Sequence, residues 1–201
     1  MAQLTFDADT HTYYLDGAEV PSVSEITKPL SAYKYADVDE NVLEAAADRG
    51  TEIHFITTLI DNGEDIDGEY PAEYGGYIEA YRLYLSEHNV VHIARETPVY
   101  HPGRLYAGTP DAISIVDGEI AIVDYKCVAS VNKIGVKTQV NAYKAAYEAL
   151  EGLKIERLYC LQLMNTGAYR LYAVTIDGTE FDACMTLWAA FKKKQPRGKI
   201  I

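Results

Sequence analysis

"GTPDAISIVDGEIAIVDYK", residues 108–126, decides the fold. "AISIV" and "IAIVDY" are rich in β-branched residues and are joined by Asp117-Gly118. A two-residue Asp-Gly link between such runs predicts a hairpin. The link sets the register: Val116 faces Glu119, Ile115 faces Ile120, Ile113 faces Ile122, and by continuation Asp111 faces Asp124. Side chains on one sheet face recur every second residue, so Asp111, Ile113 and Ile115 share a face with Ile120, Ile122, Asp124 and Lys126. Opposed residues have Cβ atoms about 4.5–5.5 Å apart, and like charges there repel. A divalent cation between the carboxylates would offset that repulsion, with Lys126 helping. For a lone D-x-K, the plainer reading is an aspartate capping a strand and another paired to its lysine at a solvated edge. The second carboxylate and the apolar residues of the same face favour a site instead.

Working outward, "LTF" and "HTYYL" turning at "DGAE" predict an N-terminal hairpin. Ser22 or Ser24 is an N-cap for a helix that Pro29 is expected to stop. Residues 40–61 predict a helix with Leu43, Ala47, Gly50 and His54 on one stripe, and "NGEDIDGEYP" an acidic loop. Residues 72–89 predict a second helix, whose stripe of Tyr74, Tyr77, Tyr81, Tyr84 and His88 reads as core before it reads as a base-stacking surface. Strands follow at about 94–101, 105–116 and 119–126, a helix at 133–151, strands near 155–164 and 168–176, and a helix at 179–193. That order predicts an α/β fold, a mixed sheet sandwiched by helices. The 201 residues are expected to form a single domain, with 1–90 carrying the hairpin and helices and 91–201 the sheet core and last helix.

Charge is distributed unevenly. The chain has a net charge of −12, but residues 1–125 carry 6 Lys+Arg against 24 Asp+Glu, a net of −18, whereas residues 126–201 carry 12 against 6, a net of +6. The basic residues follow the carboxylates: Lys126, Lys133, Lys137, Lys144, then "KKKQPRGK" from 192. Such asymmetry suggests a local anionic partner, although the helix lysines alone also fit a solvated face. No run of eighteen apolar residues and no signal-peptide pattern is present. Cys127, Cys160 and Cys184, odd in number and without C-x-x-C spacing, suit a reducing cytoplasm.

Two further motifs align with the carboxylates. "RGTEIH" sets His54 one helical turn after Gly50, where the missing side chain is expected to let the helix lie close on the sheet. "QVNAY" sets Gln139 and Tyr143 on one helix face within an apolar stripe, where a buried glutamine needs hydrogen-bond partners. Taken alone, these also fit a surface histidine and a tolerated edge glutamine.

With Gly50 to His54, "GTPD" ending in Asp111, "DYK" from Asp124 to Lys126, and Gln139 to Tyr143 in this order, the chain resembles the PD-(D/E)XK nuclease superfamily, in its RecB-like exonuclease branch. The leader "HTYYLDGAEVPSVSEI" is similar to that of phage-encoded members. The resemblance implies a restriction-endonuclease-like α-β-β-β-α-β core and Mg²⁺- or Mn²⁺-dependent hydrolysis of DNA, in a phage or prophage setting with a single-strand annealing or recombination protein as partner. It also implies His54, Asp111, Asp124 and the Tyr125 carbonyl as metal ligands, Lys126 positioning or activating water, and Glu96 on the first core strand as an accessory carboxylate. Gln139 and Tyr143 would organise the site, with Lys133 and Lys137 on DNA. Three cysteines do not supply the four that bind an iron–sulfur cluster in some relatives, so none is expected. Cys127 stands where relatives usually carry Thr or Ser. A catalytically silent DNA-end-binding subunit and a structure-specific endonuclease stay open as alternatives on the same fold.

Overall fold

The structure, a computed structural model, describes residues 2–66, 68 and 70–193. The basic run from Lys194 onward, and Asp67 and Glu69 of the acidic loop, lie outside the described residues. Asp117 and Gly118 take φ of 52° and 91°, the successive left-handed residues that a tight type I′ link requires. Strands β7 (Ala112–Val116) and β8 (Glu119–Lys126) pair antiparallel, with Ile113 opposite Ile122 and Val116 opposite Glu119. Continuing one step beyond the Ala112–Val123 pair sets Asp111 beside Asp124.

With β4 (Val90–Arg95), β9 (Arg157–Leu163) and β10 (Tyr169–Ala173), these strands form a sheet ordered β10-β9-β8-β7-β4. β8 is its centre. The β8–β9 pair is parallel and the others are antiparallel. A parallel pair needs a long crossover, and α4 (Lys133–Glu151) provides it. On the α4 face Ile113 and Ile122 pack with Val136, Val140 and Leu158. On the other face Ala112, Val123 and Tyr125 pack with Ile53 and Ile56 of α2 (Glu40–Asp61) and with Tyr81 and Tyr84 of α3 (Gly75–Glu87). The succession α2-β4-β7-β8-α4-β9 is the expected α-β-β-β-α-β order, with α3 placed before β4. Around it lie an N-terminal sheet of β1 (Leu4–Asp7), β2 (Thr12–Leu15) and β3 (Ala18–Val20), then α1 (Val23–Lys34) and α5 (Thr179–Lys193). Among the described residues no helix is long and apolar enough to cross a membrane.

Several expectations need correction. The strands expected at 94–101 and 105–116 are each interrupted, at Pro98 and Pro110, because proline has no N–H for a ladder. The far pieces, β5 (Val99–His101) and β6 (Tyr106–Gly108), leave the main sheet and pair with each other. Pro29 does not stop α1: Ser22 Oγ caps the helix by accepting from the Glu25 N–H at 2.9 Å, and the helix runs through the proline to Lys34. Proline's fixed φ is helical, and what is lost there is one backbone donor. Gly50 is not needed for close packing, since a Cβ built there meets nothing within 4 Å. The buried side of α2 is Ile53, Ile56 and Thr57 rather than the Leu43–Ala47–Gly50 stripe. The tyrosine stripe is core where it matters, with Tyr81 and Tyr84 fully buried.

Gly108 is a glycine that the fold does require. A Cβ built there would lie 2.6 Å from Tyr143 Cε1 and 3.1 Å from Val23 Cγ2. Both neighbours are buried, and overpacking of this kind costs about 1–3 kcal/mol. Gly108→Ala is therefore expected to lower the unfolding free energy by that amount, read as a lower urea midpoint. An unchanged midpoint would show that the α1–β6–α4 contact is looser than it looks.

Candidate active site

The hairpin and α2 bring ligating atoms together where β4 ends and β7 begins. His54 Nδ1 lies 3.6 Å from Glu96 Oε1 and 3.6 Å from Asp111 Oδ1. Donor atoms about 2.1 Å from one small divalent cation can be at most about 4.2 Å apart, so both separations suit a shared ion. His54 Nε2 faces the Tyr125 carbonyl at 3.2 Å. An Nε2–H donating there leaves Nδ1 as the lone-pair nitrogen aimed at the carboxylates. The Tyr125 carbonyl so engaged keeps a second lone pair. Asp111 is held from its other side, Oδ2 accepting from the Tyr125 N–H at 2.6 Å. Burial alone would lower the His54 pKa, but the charges of Asp111 and Glu96 outweigh it and the net shift is upward.

Asp124, 2% exposed, is next to this cluster on the central strand. Lys126 Nζ donates to its Oδ1 at 2.8 Å. Oδ2 lies 2.7 Å from the same Nζ, yet is buried without a hydrogen bond of its own. Burial pushes Asp124 up to about 6 although Lys126 pulls it down. Burial likewise pulls Lys126 down, but Asp124 and Asp111 more than offset it, and the lysine stays above its ordinary value. At neutral pH the pair is ionised. The donor set of oxygens with one imidazole, and the Asp124 oxygen that lacks a hydrogen bond of its own, fit a hard divalent cation.

The remaining predicted residues divide. Gln139 Nε2 donates to the Tyr143 hydroxyl at 2.9 Å. Burial above all keeps that hydroxyl neutral; the Gln139 bond lowers its pKa, and the charges of Asp111 and Asp124 add to the rise. Lys133 Nζ stands 5.7 Å from the centre of the Tyr172 ring at the start of α4. Lys137 is committed elsewhere, to Asp177 at 3.0 Å and Glu180 at 2.6 Å, and Lys144 pairs with Glu148. Lys137 is thus paired with carboxylates of its own chain in this structure. The Cys127 thiol is buried and pushed up to about 12 by that burial, so it is neutral and unreactive.

Glu96 is not within the first core strand as expected. It follows the last residue of β4, with φ at 42° and its N–H donating to the Asp111 carbonyl. A non-glycine residue held in the left-handed region costs on the order of 1–3 kcal/mol. Glu96→Gly should therefore leave the urea midpoint of metal-free protein unchanged or slightly raised, yet weaken Mn²⁺ binding by about tenfold through loss of a charged donor. Calorimetric titration checks the second part, and unaltered affinity would remove Glu96 from the site.

Other residues around the site escaped the sequence reading. Gln162, buried opposite Lys126 in the β8–β9 register, donates to the Val128 and Ala129 carbonyls and so pins the loop after Lys126. Arg49 donates to the Cys127 carbonyl at 3.3 Å. Arg95 and Asp61 form a buried ion pair beside the cluster.

No family model and no curated protein matches the chain. Among solved structures it is similar to an alkaline exonuclease (LHK-Exo) from Laribacter hongkongensis, at 12% identity over 71% of this chain and 78% of that chain, with a TM-score of 0.37. It is also similar to LHK-Exo in complex with dAMP, at 12% identity over 87% of this chain and 88% of that chain, with a TM-score of 0.45.

Proposed function

We propose that the chain is a divalent-metal-dependent deoxyribonuclease, hydrolysing phosphodiester bonds as an exonuclease on linear DNA during phage or prophage recombination, repair or DNA processing. The observation that carries this reading is the convergence of one donor atom each from His54, Glu96 and Asp111 within 4.8 Å of one another, beside the Asp124–Lys126 pair. His54, Glu96, Asp111 and the Tyr125 carbonyl would hold the cation, with Asp124 completing the set through the oxygen that makes no hydrogen bond of its own. When bound, Mg²⁺ or Mn²⁺ supplies an acidified water and offsets charge on the scissile phosphate.

The protein's own groups do the rest. Lys126 stays protonated, so it serves as a positioned cation for charge developing on the phosphate rather than as a base. Asp124 holds the ammonium in place. The Gln139–Tyr143 pair, bonded to each other on α4, and Lys133 at the start of that helix would border the approach of DNA. The test is digestion of end-labelled linear DNA and of closed circular DNA with Mg²⁺, with Mn²⁺ and with chelator. Metal-dependent loss of linear DNA alone is expected. Cutting of circles would make the enzyme an endonuclease, and no cleavage with either ion would leave a DNA-binding subunit.

A further inference from the structure

Four of the candidate metal donors, His54, Glu96, Asp111 and the Tyr125 carbonyl, adjoin one side chain that the mechanism above does not use. Arg95 Nε donates to the backbone carbonyl of Asp111 at 3.2 Å, the carbonyl that also accepts from the Glu96 N–H. Arg95 Nη2 donates to Thr57 Oγ1 at 2.9 Å, and the Thr57 hydroxyl in turn donates to the His54 carbonyl at 2.7 Å. The guanidinium carbon lies 5.0 Å from the centre of the Tyr125 ring, whose own backbone N–H and carbonyl face Asp111 and His54. Glu96 is its covalent neighbour. Its charge is balanced away from the cluster: Nη1 donates to Asp61 Oδ2 and lies 3.1 Å from the Tyr81 hydroxyl, and that hydroxyl donates to both Asp61 oxygens. Both members of the ion pair are almost wholly buried.

From this geometry we infer that Arg95, neutralised by Asp61, is a positioning residue. It fixes the spacing of His54, Glu96, Asp111 and the Tyr125 carbonyl so that they meet as one metal site. Only a planar, multidentate donor reaches all of these partners at once. A lysine keeps the charge but offers a point donor on a flexible stem. This inference rests on the proposed metal site and goes beyond it, because Arg95 is not among the proposed ligands.

The experiment is Mn²⁺ binding to the full chain by calorimetric titration without DNA, at a temperature well below unfolding. Arg95→Lys is expected to bind about tenfold more weakly, within the range typical of groups that orient metal ligands. Thr57→Val, a near-isosteric change that removes only the hydroxyl between Arg95 and His54, is the milder variant should the lysine fail to fold. It is expected to weaken binding about threefold. Arg104→Lys disturbs an ion pair with Asp182 remote from the cluster and should leave affinity unchanged. Wild-type affinity in folded Arg95→Lys, or in Thr57→Val if the lysine does not fold, overturns the inference, as does a wild type that binds no metal. A wild type that binds Mn²⁺ but cleaves no DNA, with weakened binding in the variants, sinks the nuclease reading and leaves the role of Arg95 standing.

Discussion

Asp124→Asn is expected to slow cleavage of linear DNA by about 10³-fold, close to 4 kcal/mol of transition-state stabilisation, while the protein stays folded. The carboxylate is buried on the central strand, with both oxygens close to the Lys126 ammonium and one of them lacking a hydrogen bond of its own. Asparagine keeps the shape and an acceptor for the ammonium, but removes the negative charge needed beside a cation. Near-wild-type turnover would sink the assignment. Stability gives an independent reading. Burial raises Asp124 from 3.8 to about 6, so the folded state holds this proton more tightly than the unfolded state does. A group of that sign stabilises the fold at low pH, and the contribution is lost as pH rises from the ordinary carboxylate value through about 6. In chelator, melting temperature should therefore fall across that window in wild type, and the fall should be smaller in Asp124→Asn. An identical slope in both would mean that another group titrates there. Neutralising Asp124 would relieve its repulsion with Asp111, but would also cost the pair with Lys126.

What could be read in the sequence was local. Asp117-Gly118 fixes one register, and period-two alternation then carries Asp111 opposite Asp124 with no long-range information. The tyrosine stripe on α3 was legible as packing for the same reason. What was missed depends on contacts distant in the chain. Lys137 reads as a free cation until α5 brings Glu180 to it. Pro98 and Pro110 were visible, but the apolar residues around them masked the change of sheet partner. Arg95 did leave a trace. In "VVHIAR" the apolar Val91 and Ile93 point outward while His92 and Arg95 turn in towards Asp61, the inverse of an ordinary strand. A bulge between His92 and Ala94 puts the two polar residues on that side, and a bulge shifts the phase that alternation alone would assign.

His54→Ala is expected to weaken Mn²⁺ binding by about 100-fold and cleavage with it, while DNA binding largely survives. The imidazole is the nitrogen donor in a set otherwise made of oxygens, and nitrogen shifts preference towards softer ions. Wild type should thus work better with Mn²⁺ than with Mg²⁺, and the variant should lose much of that difference. Folding should suffer little, because the bonds that Thr57 and Thr58 make to residue 54 go to its backbone carbonyl, which alanine keeps. The pH dependence separates a ligand from a helix residue. Burial lowers the His54 pKa, but Asp111 and Glu96 raise it further, so the metal-free imidazole gains its proton above its ordinary 6.5. Imidazolium does not ligate a cation. Mn²⁺ affinity should then begin to fall at a pH above 6.5 as the solution is acidified, and His54→Ala should lack that limb until the carboxylates titrate. Cleavage rate against metal concentration, for both ions and across pH, measures all of this. The same metal dependence in wild type and variant would return His54 to a packing role against Tyr125 and leave Glu96, Asp111 and Asp124 as the donors.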